Sequence, residues 1–297
     1  MRFGLVTPVV TCHPDHRAEW EAEAGPAEIA RIAIAADHLG YHHVTCSEHV
    51  AIPDPVAVVR GTRYYDPLAT FGFLAAQTTR LRFATHVLVL PYHHPLALAK
   101  RYGTLDRLSG GRLILGVGVG TLEEEFALLG AEFAGRGAHY EDALRALRAA
   151  FGRRTPAYAG THYRFDGFVV DPCGVQARVP IWLGGRSPRS LRRALRLGDG
   201  WDPFRLTFDE LAALLGRARG WREWQERPAP FDVVLTPDRL LDPTQAAETH
   251  ALAELVGRYR EVGATIMNLR FAHRSLLHYL EQLEAFARDV VPASGSG

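Results

Sequence analysis

The chain has 297 residues, enough for one large domain with a sizeable buried core or for two smaller ones. Hydrophobic residues make up 47%, charged residues 23%, and the net charge is +1, which removes any general pull toward nucleic acid or an anionic membrane surface. No apolar run approaches the roughly twenty residues of a membrane span, and the three widely spaced cysteines, Cys12, Cys46 and Cys173, have neither disulfide-framework nor zinc-finger spacing.

Strand-length apolar runs alternate with segments of helical period. Phe3–Val10 reads as a first strand, entered at once from Met1-Arg2 without the layout of a signal peptide. With the reduced-thiol cysteines, this leads to the expectation of a cytoplasmic protein. Ala27–Leu39 has apolar residues at helical spacing, and Gly40 follows as its cap. Val44–Cys46 is the second strand, and Pro67–Gln77 the second helix, with proline early as helices prefer. Leu81–Leu90 reads as one long buried strand, Pro95–Leu108 as a helix, and Arg112–Val117 as the fourth strand, with a long helical stretch ending in Tyr140–Phe151. Arg153–Val179 breaks the rhythm as an excursion, with Tyr158–Tyr163 a turn between two short strands. Then come Pro180–Leu183 and the helix Pro188–Leu197, Gly200-Trp201 and Phe208–Arg219, Phe231–Leu235 and Gln245–Val262, and Thr265–Phe271 and Leu276–Val290.

Eight strand–helix pairs predict an α/β fold, a (β/α)₈ TIM barrel, in one domain over 1–292 with an insertion at about 153–179 before strand five. Residues 293–297 read as a flexible tail. An open doubly wound sheet would want a Gly-x-Gly-x-x-Gly turn after the first strand, where Pro8-Val9-Val10-Thr11 stands instead.

Barrel chemistry sits on the loops after the strands. After strand two comes Ser47-Glu48-His49, a carboxylate beside an imidazole able to shuttle a proton near neutrality. Glu48 is placed to orient the His49 ring or raise its pKa. Strand three ends in His86, with His93 and His94 beyond, but their spacing matches no metal site, so no metal is expected, and His93 and His94 read as surface or helix-start residues. Strand four ends Gly116-Val117-Gly118-Val119-Gly120, and alternating glycines imply a close approach to the backbone, by a flat ring or by a bulge. Strand five ends Gly184-Gly185-Arg186-Ser187, with Ser187 as N-cap, a ready anion site at a helix start; Arg192 and Arg193 beyond it read as a solvated face.

Together these pieces resemble the luciferase-like monooxygenase superfamily, in its coenzyme F-420-dependent oxidoreductase branch. The stretches that carry the resemblance are Tyr102–Arg112 leading into Leu115–Gly120, then Arg136-Gly137 and Glu141, then Pro180–Ser187, then Gly198–Trp201. The resemblance implies a flavin or deazaflavin ring in the barrel mouth against Thr85, His86 and Val87 and against Gly118, Val119 and Gly120. It implies a non-proline cis peptide at Thr85–His86, a proton-transfer role for His49, and phosphate binding by Gly184, Gly185, Arg186 and Ser187. Glu48, Thr121 and His86 depart from the family pattern, where Asp, Trp and a small residue are usual.

The leading function is therefore hydride transfer between coenzyme F-420 and a small organic substrate. An FMN-dependent, oxygen-using monooxygenase is the alternative, followed by a degenerate flavin-binding barrel without turnover and, last, a metallohydrolase. Arginine supplies the basic residues almost entirely, with Lys100 the one lysine, a GC-rich composition that fits an actinobacterial, F-420-making host. Tyr64, Tyr65, Tyr163 and Phe165 are expected to wall the substrate pocket, and relatives commonly form homodimers.

Overall fold

Eight parallel strands close on one another in the computed structural model, which describes residues 1–227 and 230–294. The strands are β1 (Arg2–Leu5), β2 (His43–Cys46), β3 (Arg82–Thr85, resuming at Leu88–Val89), β4 (Leu113–Gly118), β5 (Ile181–Gly184), β6 (Gly200–Asp202), β7 (Asp232–Leu235) and β8 (Ile266–Leu269). Each pairs in parallel with its neighbours, and β8 pairs with β1 to complete the ring. The principal helices are α1 (Pro26–His38), α2 (Pro67–Ala75), α3 (Pro95–Leu108), α4 (Arg136–Ala150), α5 (Pro188–Leu197), α6 (Phe208–Ala218), α7 (Thr249–Glu261) and α8 (Leu276–Ala285). Gly40, at φ 80°, ends α1 as its sequence position suggested.

Strand alternation splits the buried residues into two sets. Leu5, Val44, Phe83, Leu115, Leu183, Trp201, Leu235 and Leu269 face outward into the shell of helices. Ala84, Ile114, Trp182, Val234 and Ile266 form a separate plug inside the barrel. His43 and Asn268 are fully buried as well, and burial holds the His43 imidazole far below its usual range.

The sequence stretches that carried the family resemblance turn out to clamp the scaffold. Asp106, fully buried on α3, accepts from the backbone N–H groups of Val175 and Gln176 and from the Gln176 amide. Arg112 donates to the carbonyls of Ala75, Leu81 and Ser109. Asp199 accepts from the Ile181 N–H and pairs with Arg148 and Arg178, so the loop before β6 is tied to α4 and the start of β5. Glu141 of α4 takes the Arg193 guanidinium of α5 at 2.9 Å, and half-exposed Arg192 bonds Glu223.

The insertion folds as the expected hairpin, Tyr158–Ala159 against Arg164–Phe165. Asp142 of α4 anchors it by accepting from the Tyr158 hydroxyl and from the His162 and Tyr163 N–H groups. At the C-terminal end, Ser294 donates its N–H to the Val290 carbonyl and accepts from Arg260. The rest of the expected flexible tail, 295–297, lies outside the described residues. No helix among the described residues is long and apolar enough to cross a membrane.

Candidate active site

The third strand, expected as one long run, is broken. Four residues lead from Ala84 to Leu88, while three lead from their β4 partners, Ile114 to Val117. One extra residue in β3 is a β-bulge, a device that re-aims side chains at a barrel rim. The non-proline cis bond lies within it at His86–Val87, one residue later than the expected Thr85–His86. The end of β2 holds the bulge: Ser47 Oγ donates to the His86 carbonyl at 2.8 Å, the Glu48 N–H to the Val87 carbonyl at 3.3 Å, and the Val89 N–H to the Glu48 carboxylate at 2.7 Å.

The alternating glycines of β4 exist for this bulge. A Cβ on Gly116 would overlap the Thr85 carbonyl, a Cβ on Gly118 would lie 2.6 Å from Val87 Cγ2, and one on Gly120 would meet Phe126 and Val89. Of the two approaches the glycines imply, the bulge makes the one seen here. Val119 and Gly120 are half-exposed at the end of the strand. Thr85 is fully buried and donates to the Gly116 carbonyl, so it braces the bulge from below. Val87 is half-buried over Gly116, Gly118 and Gly184, an apolar platform facing the mouth. A Cβ on Gly184 would meet the Val117 carbonyl and Val87 Cγ1 at 3.5 Å, ordinary contact, so this glycine, unlike those of β4, is not required by the bulge.

His49 is oriented by a residue that no sequence motif singles out. Its Nδ1 lies 2.7 Å from Glu125 Oε2, in the short helix Glu123–Leu128 after β4. Glu125 is 1% exposed and also accepts from the Val50 N–H, the Ala51 N–H and the Tyr92 hydroxyl. Burial alone would raise its carboxyl, but these bonds, His49 first among them, hold it below the usual carboxylate range. An ionised Glu125 accepts the Nδ1 proton of His49 and leaves Nε2 as the free ring nitrogen. Tyr64 packs edge-on against the same ring at 4.6 Å.

Glu48 does not orient His49. Its carboxylate turns the other way, to His93 Nε2 at 2.7 Å, so His93 is a bonded partner of the β2 end and not a surface residue. His94 caps α3, accepting from the Leu96 N–H. His86 points to Asp202 at the end of β6, with Nε2 3.3 Å from Oδ2. Burial lowers the His86 imidazole, but the adjacent carboxylate outweighs it and the net direction is upward. The three histidines thus go three separate ways, and among the described residues no group of three or more His, Cys, Asp or Glu could hold a metal.

At β5 the turn is as expected. Ser187 caps α5, accepting from the Ser190 N–H, and Gly185 has φ 115°. Arg186 is exposed beside the Phe204 ring, its guanidinium carbon 5.9 Å from the centroid. Tyr163 and Phe165 belong elsewhere: Phe165 is buried in the core and Tyr163 packs edge-on to His94, so both hold the insertion on its helices. Tyr65 packs against the core, its carbonyl facing Cys46 Sγ, which leaves Tyr64 as the one member of that set at the mouth.

A cavity of about 480 Å³ opens over β1–β3 and β6–β8, lined by Ser47, His86, Phe204, Arg205, Thr236 and Arg270 among others. His49 does not line it; Ser47, two residues earlier, does. Strand parity held a signal for the missed groups, since Asp202 follows Gly200, and Arg270 follows Asn268, on the inward face. Nothing in the run Glu123-Glu124-Glu125 marks which of the three is buried.

Comparison with known proteins agrees with this geometry. Residues 1–295 match the family model described as luciferase-like monooxygenase. A putative coenzyme F-420-dependent oxidoreductase of Mycobacterium tuberculosis is 31% identical over 74% of this chain and 65% of its own. An uncharacterized protein of Mycobacterium bovis is 29% identical over 77% of this chain and 84% of its own. Among solved structures, a monooxygenase from Streptomyces bottropensis superposes with a TM-score of 0.77 at 22% identity, covering 99% of this chain and 100% of its own. The coenzyme F-420-dependent tetrahydromethanopterin reductase of Methanopyrus kandleri gives 0.69 at 14%, with 99% of each chain covered. The bulge-bearing eight-stranded barrel and the family match over nearly its whole length lead to one assignment: this chain belongs to the luciferase-like monooxygenase family.

Proposed function

We propose that the chain is an oxidoreductase that holds coenzyme F-420 in the barrel mouth and passes hydride between it and a small organic substrate. The observation that carries this reading is His49 at the end of β2, locked by buried Glu125 with Nε2 free. When bound, the coenzyme supplies the carbon that gives or takes the hydride. The residues present fit such a group: Val87 offers an apolar floor to which Gly184 adds no side chain, and the Gly185–Ser187 turn sets exposed Arg186 at the start of α5, where a phosphate is favoured. His49 gives or receives the accompanying proton at Nε2, while Glu125 stabilises the charged imidazolium. Glu48 acts through structure, tying β2 to the bulge. Relatives named for coenzyme F-420 support this coenzyme over FMN.

Fluorescence-quenching titration tests the reading. Coenzyme F-420 is expected to bind at least tenfold more tightly than FMN, a difference of about 1.4 kcal/mol. Micromolar FMN binding with no F-420 binding would refute it in favour of the oxygen-using alternative.

A further inference from the structure

We propose that the cavity over β1–β3 and β6–β8 seats the substrate, and that this substrate is an organic anion whose carboxylate or phosphate is gripped by Arg270 and Arg205. The proposal rests on the coenzyme reading above, and it adds the chemical class of the substrate. Arg270 follows β8 on its inward parity and lines the cavity. Its Nε is buried without a partner, and its one hydrogen bond runs from Nη2 to the Pro237 carbonyl at 3.1 Å. Arg205, held at φ 52°, lines the same cavity and bonds His13 Nε2 at 3.3 Å. Neither guanidinium forms an ion pair among the described residues. Arg63, Arg112 and Arg227 form no ion pair among the described residues either, but their guanidinium groups each donate to two or more backbone carbonyls. Two planar cations without carboxylate partners, one with a buried unpaired donor, match the geometry of a carboxylate or phosphate.

Charge on the walls points the same way. Asp238 is the acidic residue of the lining, so two guanidinium groups face one carboxylate. Asp202, beneath the floor, is engaged by His86. Burial pushes His13 and His16 below the usual imidazole range, so near neutrality both line the cavity as uncharged hydrogen-bonding groups. Ser47 and Thr236 add hydroxyls, and Phe204, Leu206 and Val6 supply apolar wall for the organic body. The cavity's size suits a metabolite-sized molecule.

The test uses the full chain without coenzyme, titrated calorimetrically at constant ionic strength with inorganic phosphate and, separately, with acetate. Saturable binding of at least one anion is expected, and the stronger of the two names the substrate's charged group. Arg270→Gln should weaken that binding tenfold or more and Arg205→Gln several-fold, while Arg222→Gln, at an exposed arginine paired with Glu226, leaves it unchanged. Coenzyme F-420 affinity, followed by fluorescence, should stay within about threefold of wild type in Arg270→Gln. Three results would overturn the proposal: no saturable binding of either anion, loss of binding in Arg186→Gln but not in Arg270→Gln, or joint loss of anion and coenzyme binding in Arg270→Gln. The last would mean that the cavity holds the coenzyme's own phosphate. A wild-type protein that binds the anion but no F-420 would instead sink the coenzyme reading, and with it the cavity's role as a substrate seat.

Discussion

Two glycines on the inward face of neighbouring strands should respond oppositely to the same added methyl group. In Gly116→Ala, the new Cβ overlaps the Thr85 carbonyl oxygen and lies 3.1 Å from its carbon. Both partners are backbone, and β4 cannot retreat because it is hydrogen-bonded to β3 on one side and β5 on the other. Overpacking of a rigid core costs about 1–3 kcal/mol, and the upper part of that range applies because no side chain can rotate away. For a chain of this size that is a fall in Tm of roughly 3–5 °C. In Gly184→Ala, the Cβ meets the Val117 carbonyl and Val87 Cγ1 at 3.5 Å, ordinary contact, so stability should stay within about 0.5 kcal/mol. That methyl group would instead stand beside Val87 on the proposed floor of the coenzyme site, and F-420 affinity should fall at least tenfold, about 1.4 kcal/mol. Thermal unfolding followed by circular dichroism reads the first effect and fluorescence titration the second. An unchanged Tm in Gly116→Ala would show that the glycines do not accommodate the bulge, and wild-type affinity in a folded Gly184→Ala would place the ring elsewhere. Gly185→Asp makes a poor probe of the phosphate turn, since φ 115° and the Ser190 Cβ 2.6 Å from a new Cβ would perturb the fold as well.

His49→Ala should keep coenzyme affinity within a few-fold and slow turnover by about 10²–10⁴, with single-turnover hydride transfer as the measurement; a loss of affinity at normal transfer rate would mean that the ring only packs. Glu125→Gln should slow turnover too, whereas Glu48→Gln should leave the pH optimum in place because its partner is His93; a shifted optimum in Glu48→Gln would contradict the geometry. The His86 imidazole should titrate above its ordinary value near 6.5 by NMR and fall below it in Asp202→Asn, since burial is then unopposed. The stability contributed by that pair is complete below pH 6.5 and is lost as pH rises through the folded value. Asp242 behaves in the opposite sense. Burial works to raise its carboxyl, but bonds from Thr244, Gln282 and Gln245 hold it at about 2, so its contribution is present above about pH 4 and is lost as pH falls toward 2. The Tm gap between wild type and Asp242→Asn should therefore close over that window, and a constant gap would refute the assignment.

The order of strands and helices, the hairpin insertion and the capped turn before α5 were legible from the residues alone. Each depends on neighbours in the chain: apolar periodicity, a proline at a helix start, a serine three residues before the N–H it caps. The position of His49 just after β2 was legible as well, because it follows from the order of strands alone. Partners were not legible. Glu48 beside His49 in the chain suggested a pair, yet successive residues at a strand end point apart, and the partner came from Glu125, 76 positions away. The β4 glycines announced a close approach without saying what approaches; the one-residue bulge in β3 supplied it, through a register between strands that no single strand contains. Tyr163 and Phe165 had the right chemistry for a pocket wall, but Asp142 pins their hairpin to α4 and their rings pack on His94 and the core. Arg205 and Arg270 lie in unremarked loop and strand-end positions, and they acquire meaning when barrel closure brings β8, the last strand, beside β1 and aims the ends of β1–β3 and β6–β8 into one cavity. Local periodicity is a property of adjacent residues, while a binding site is a property of closure, and in this chain the scaffold followed from the first and the polar contacts of the mouth from the second.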